Sequence, residues 1–242
     1  MTTVVVPAEP PIAGQRLPAL QDVFSPDRAA ALYAAMLGDV CQAVQHGEAD
    51  LLVNYPPAES VPEGVDPEDA LREVVSPAVA DPNAVRYEVQ VGSNRAAHVG
   101  NAVTHLLESE GEATVGVLEP TAPFLGRQHL GSAAMKLRSN GAVVGPSTNG
   151  RVYFAAFREP IDFTDVYQPP ATETVTARAV EAGLDVDFLP LLPRVETEAD
   201  LATAVPLLGA REQADRIVPA RTADFFEGVD PETWEAGSSD RP

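Results

Sequence analysis

Residues 141–157 read GAVVGPSTNGRVYFAAF. The apolar run at 142–144 has the length and β-branched content of a buried strand, and Gly145-Pro146 closes it. Ser147-Thr148-Asn149-Gly150 is a polar turn, and a second apolar strand follows at 152–157. Asn149-Gly150 is a strong hairpin signal, so the run between the strands has a purely structural reading. Its functional reading is a turn facing a sugar or a phosphate, with Asn149, Gly150 and Arg151 in contact with the ligand.

Outward from this segment, strand and helix signals alternate along all 242 residues. A β-branched run at 2–6 is closed by Pro7. Ser25-Pro26-Asp27 opens a helix, with Ser25 as N-cap, Pro26 at the first helical position and Asp27 favourable to the dipole. Leu32, Met36, Val40 and Val44 form its apolar stripe, and it stops near Gly47. A second strand at 50–54 leads into a Pro- and acid-rich stretch with a short helix that starts at Asp66-Pro67. Further strands are expected at 85–91, 114–118 and 185–189, and helices at 95–109, 127–139 and 172–182. Thr197 and Asp200 resemble a capping box and open a helix to about Leu208. Alternation of this kind predicts an α/β fold, a three-layer α/β/α sandwich around a mostly parallel central sheet. Residues 1–208 are expected to form the domain, and 209–242 a C-terminal helix with a frayed acidic tail.

Charge narrows the biology. The chain carries 36 Asp plus Glu against 16 Lys plus Arg, a formal net charge of −20, and Lys136 is its single lysine. Such self-repulsion is relieved when salt screens it, which points to a halophilic protein, the alternative being a merely acidic mesophilic one; a hyperthermophile would enrich lysine instead. An acidic surface repels phosphate backbones, so nonspecific nucleic-acid binding is not expected. No apolar run approaches a membrane span, and MTTVVVPAEP lacks the basic region of a signal peptide, so a cytoplasmic location is the expectation. Cys41 is the only cysteine, which rules out a disulfide framework. Homo-oligomers are compatible with this composition.

In a mostly parallel sheet, ligands sit at the carboxyl ends of the strands, so the loops there hold the candidate residues. Gly14-Gln15-Arg16 could bring backbone N–H groups and a guanidinium to a phosphate. Gly92-Ser93-Asn94 opens a helix and suits a base or phosphate contact, or simply a cap. After the fourth strand, Glu119 is the one carboxylate available to a divalent metal, with Thr121 beside it. Glu196 precedes the cap Thr197 and is either structural or a second metal ligand. His98 and His105 lie two helical turns apart, too far to share a tetrahedral metal.

Four stretches, in this order and spacing, resemble a known group: PIAG at 11–14, SPDRAAALYAAMLGDV at 25–40, PFL at 123–125 with GAVVGPSTNGRVYFAAFREP at 141–160, and LPRVETEADL at 192–201. The chain resembles the bacterial and archaeal nucleotide-diphospho-sugar transferase-like proteins of the glycosyltransferase-A fold and, more distantly, the 2-phospholactate guanylyltransferases. The resemblance implies a nucleotide-sugar or another small molecule as ligand, and Mg²⁺ or Mn²⁺ as cofactor. The departures from the family pattern fall on its charged positions. Leu17-Pro18-Ala19 stands where the family has a Lys-Thr-Arg cluster, and Thr121 and Phe124 stand where it has aspartates. Asn149-Gly150-Arg151-Val152 replaces Asp-Gly-Gly-Tyr, and Arg194-Val195-Glu196 replaces Asp-x-Asp. Three readings follow: a transferase-fold protein that has lost metal-dependent transfer and acts by binding; an active transferase with Glu119 and Glu196 as a reduced metal site, helped by Arg16 and Arg151; and a nucleotidyltransferase of the guanylyl type.

Overall fold

A computed structural model describes residues 2–227 and 229. Its centre is a seven-stranded sheet of order β3-β2-β1-β4-β6-β5-β7. The strands are β1 (Thr2–Pro7), β2 (Asp50–Tyr55), β3 (Arg86–Val89), β4 (Thr114–Leu118), β5 (Ala142–Pro146), β6 (Val152–Phe157) and β7 (Val186–Phe188). β6 is antiparallel to both of its neighbours, β4 and β5, and every other pairing is parallel. The segment at 141–157 is therefore a hairpin. Asn149 and Gly150 at its tip take left-handed φ values of 59° and 67°, the conformation that Asn-Gly adopts at least cost.

Alternation along the strands sends side chains into two cores. Val4, Val6, Leu51 and Val53 join one cluster, while Val5, Leu52, Val115 and Val117 join the other. The first is closed by α1 (Pro26–His46), α2 (Pro67–Val75), α4 (Arg127–Lys136) and α6 (Glu198–Gln213), and the second by α3 (Arg95–Thr104) and α5 (Ala171–Glu181). Leu32, Met36, Val40 and Val44 of α1 are all buried, as their spacing predicts. Asp66, Asn94 and Thr197 cap their helices through side-chain oxygens, and Thr197 and Asp200 form the reciprocal capping box.

Three helix ends differ from the sequence reading. α3 ends as an α-helix at Thr104, and His105–Ser109 continues it as a π-helical turn. α4 stops at Lys136, and α6 runs past Leu208 to Gln213 because Gly209 keeps a φ compatible with the helix and provides no left-handed stop. Beyond it, α7 (Ala220–Phe226) packs on α1. Buried Asp39 fastens the contact by accepting from Arg221 N, Thr222 N and Thr222 Oγ1 at 3.1, 2.8 and 2.7 Å. The frayed acidic tail expected after the C-terminal helix lies outside the described residues. Among the described residues no helix is long and apolar enough to cross a membrane. Cys41 is buried in α1, and burial pushes its thiol up to about 12, which leaves it protonated and unreactive.

Candidate functional site

A cleft of about 350 Å³ opens at the carboxyl edge of β1 and β4, lined in part by Arg16, Tyr33, Arg95, Glu119, Thr121 and Arg194. Each wall has a local cause. The 7–20 loop leaves β1 and folds back over it, with Glu9 N donating to Tyr33 Oη at 3.0 Å and Arg16 pairing with Glu9. Glu119 follows β4, and its N–H donates to Tyr153 O at 2.9 Å, which extends the β4–β6 ladder by one rung. The loop after β7 is drawn in when Val195 N donates to Thr121 O at 2.8 Å and Arg194 N to Ser147 Oγ at 3.0 Å.

Three arginines and three carboxylates interlock on this edge. Arg194 Nη2 lies 3.1 Å from Glu119 Oε2 and also hydrogen-bonds Glu196 Oε1. Its Nε donates to Thr121 Oγ1 at 3.3 Å and its Nη1 to the Val152 carbonyl at 3.1 Å. Arg95, the first residue of α3, pairs with Glu119 through Nη2 and lies 5.0 Å from the Tyr167 ring centre. Arg151 Nη1 donates to Glu196 Oε2 at 2.9 Å and to Asp200 Oδ2 at 3.0 Å, and its Nη2 pairs with Asp200 Oδ1. Asp200 Oδ2 also accepts from the main-chain N–H of Glu196 and Thr197, at 3.1 and 3.0 Å. One carboxylate thus caps α6 and anchors the arginine.

The electrostatics follow from burial and pairing. The Glu119 side chain is 4% exposed. Burial by itself would raise its carboxyl, but Arg194 and then Arg95 hold it below the ordinary carboxylate value. Burial likewise opposes ionisation of Asp200, and the Arg151 hydrogen bond with the backbone donors overrides it and lowers its pKa. Arg95 is held charged chiefly by Glu119. Burial raises the Tyr33 phenol well above its usual range, so it stays protonated as an acceptor for Glu9 N.

Of the residues the sequence singles out, Arg16, Glu119, Thr121 and Glu196 line the cleft together. Arg151 stands behind Glu196 and is engaged with it and with Asp200. Asn149 and Gly150 form the hairpin tip, where a Cβ on Gly150 would lie 2.9 Å from the Pro170 Cβ. Gly14 has a φ of 78° with open space around it, and it forms a turn. Gly92 has a φ of 135° and packs against Ala97, while Asn94 caps α3 by accepting from Ala97 N at 3.0 Å. Ser93 is exposed beside them. Arg95, Arg194 and Asp200 are the residues that sequence reasoning missed. The signals that could have found them are the position of Arg95 at a strand-to-helix turn and the charge alternation Arg194-Val195-Glu196. Among the described residues no histidine lines the cleft.

A divalent metal does not fit the donor set as it stands. Hard cations take about six oxygen ligands, whereas Glu119 Oε2 and Glu196 Oε1 already hold the Arg194 guanidinium. Among the described residues no group of three or more His, Cys, Asp or Glu is arranged to hold a metal ion.

No family model and no curated protein matches this sequence. Solved structures do match. A candidate nucleotide-diphospho-sugar transferase from Desulfovibrio desulfuricans superposes with a TM-score of 0.77 at 20% identity, over 97% of each chain. A 4-diphosphocytidyl-2C-methyl-D-erythritol synthase from Anaerococcus prevotii gives 0.53 at 14% identity, over 86% of this chain and 95% of that one. A cytidylyltransferase from Leptospira borgpetersenii gives 0.52 at 9% identity, over 93% of each. The fold is therefore that of nucleotide-diphospho-sugar transferase-like and cytidylyltransferase-type proteins.

Proposed function

We propose that this protein binds a nucleotide or nucleotide-sugar in the cleft beside β1 and β4, and that metal-dependent transfer at this site is lost or much reduced. The α/β fold with its mostly parallel seven-stranded sheet supports the ligand class, and the helices packed on the two cores support a three-layer reading of it. The observation that carries the reading is Arg194, whose Nη2 contacts both Glu119 and Glu196, the two carboxylates a metal would need.

Recognition would fall to Arg16 and Arg95. Every nitrogen of the Arg151 and Arg194 guanidiniums already donates to a protein oxygen. Arg95 donates only through Nη2 among the described residues, and its side chain is 45% exposed. Among the described residues Arg16 Nε is buried without a hydrogen-bond partner. These N–H groups suit a phosphate, which accepts charge-assisted hydrogen bonds from arginine.

A second reading keeps the transferase active, with Glu119 and Glu196 as a reduced Mg²⁺ or Mn²⁺ site. Its support is that one Arg194 nitrogen touches both carboxylates, so they converge on a single point. Thermal shift in molar KCl with UDP-, GDP- and dTDP-sugars and with GTP, each with and without Mn²⁺, separates the readings. Stabilisation by a nucleotide-sugar of equal size in both conditions is expected. Stabilisation that needs Mn²⁺ would establish the second reading, and stabilisation by GTP alone would favour a guanylyl-type nucleotidyltransferase. No shift with any of these ligands would overturn the nucleotide assignment.

A further inference from the structure

The Arg194 guanidinium is enclosed by oxygen. Thr121 Oγ1 lies 3.3 Å from Nε, the Val152 carbonyl 3.1 Å from Nη1 and Glu119 Oε2 3.1 Å from Nη2, and Glu196 Oε1 accepts from the same Nη2. Two carboxylates, a hydroxyl and a main-chain carbonyl are the ligand types of a hard-cation site. They come from separate segments, the loop after β4, the start of β6 and the loop after β7, so their convergence is a property of the fold. The Glu119 and Arg194 side chains are 4% and 12% exposed, so water cannot replace either partner without cost.

Charge balance in the cluster is complete only with this arginine. Glu119, Glu196 and Asp200 carry three negative charges, and Arg95, Arg151 and Arg194 carry three positive ones. Removal of Arg194 leaves Arg95 on Glu119 and Arg151 on Glu196 and Asp200, with one negative charge uncompensated in a largely buried place. A deficit of that size among buried oxygens is relieved by a proton or by a small cation.

We infer that Arg194 is a built-in cation: its guanidinium occupies the position of a divalent metal between Glu119 and Glu196 and closes a latent oxygen-ligand site for Mg²⁺ or Mn²⁺. A tethered guanidinium cannot dissociate, so the electrostatics of the cleft are independent of metal supply. The inference rests on the reading of the cleft given above, but its test uses metal alone, so the failure of either is distinguishable from the failure of the other.

Mn²⁺ is titrated in molar KCl, which suppresses loose binding to the acidic surface, and free Mn²⁺ is followed by electron paramagnetic resonance alongside the melting temperature. The wild type is expected to show no stoichiometric site and no shift. Arg194→Ala is expected to bind one Mn²⁺ per chain and to gain about 5–10 °C at Mn²⁺ about 100-fold above its Kd. Adding Glu196→Gln should abolish both, and Arg194→Lys, which keeps a cation, should bind none. If Arg194→Ala does not fold alone, Mn²⁺ in the refolding buffer should restore it. One Mn²⁺ bound by the wild type and lost in Glu196→Gln would overturn the inference. So would a folded Arg194→Ala that takes up no metal, or an unfolded one that Mn²⁺ does not restore.

Discussion

Glu119 shows how one buried charge sets the properties of the cleft. Its carboxyl is held below its ordinary value of 4.5 by Arg194 and Arg95 against the opposing effect of burial, and that of Asp200 is held below 3.8 chiefly by Arg151. A carboxyl lowered in the folded state contributes stability that is complete above its unfolded value and lost as pH falls through its folded value. Stability is therefore expected to be flat in this respect above about pH 5 and to decline below about pH 4.5, and Asp200→Asn should reduce the slope of that decline in acid denaturation curves. Asp200→Ala strips Arg151 and the start of α6 of their common acceptor. It should cost about 3 kcal/mol in urea unfolding, whereas loss of an exposed ion pair would cost under about 1 kcal/mol. Arg16→Ala and Arg95→Ala should each weaken a phosphate-bearing ligand by about 10- to 100-fold, the worth of a hydrogen bond between charged groups, as read by calorimetry. Glu119, Glu196, Thr121 and Arg16 were legible in the sequence because each sits in a loop that follows the carboxyl end of a recognisable strand. Arg194 was not, because its partner Thr121 is 73 residues away; an arginine in an acidic motif looks like a lost ligand until the fold shows which oxygens surround it.

The elements were legible where local chemistry decides them. Proline-started helices at Pro26 and Pro67, the capping box at Thr197 and the Asn149-Gly150 turn all stand where their residue types place them. Strand order was not legible, because a hairpin signal pairs β5 with β6 but says nothing about which of the two meets β4. The sheet seats β6 there, antiparallel, and this brings Arg151 at its entrance to the same edge as Glu119. Helix α6 outran its expected end because Gly209 ends a helix only if the chain turns left-handed there. The hairpin carries a direct test. Gly150→Val places a β-branched side chain at a φ of 67° and against Pro170, and should destabilise the protein by about 1–3 kcal/mol in urea unfolding. Asp39→Ala leaves the α7 donors Arg221 N and Thr222 N without their acceptor, and hydrogen exchange should then show faster opening of Ala220–Phe226 while the sheet stays protected.

At the scale of the whole molecule, a net charge of −20 surrounds a cluster in which acids and arginines are matched one to one. Exposed charges repel and are screened by salt within about 10 Å at 0.1 M, while buried pairs are screened far less. We propose on this ground that the chain is adapted to high salt. Its melting temperature should rise between low salt and molar KCl, and equal melting temperatures would contradict the adaptation. The arginine cluster should persist in both conditions, so ligand affinity there should depend on the guanidiniums rather than on an added ion. The direct measurement is the Kd of a nucleotide-sugar by calorimetry in molar KCl, once with EDTA and once with Mn²⁺. If Arg194 supplies the cation, the ratio of the two constants should lie near ~1, whereas affinity tighter by about tenfold or more with Mn²⁺, about 1.4 kcal/mol of metal-dependent binding, would contradict it.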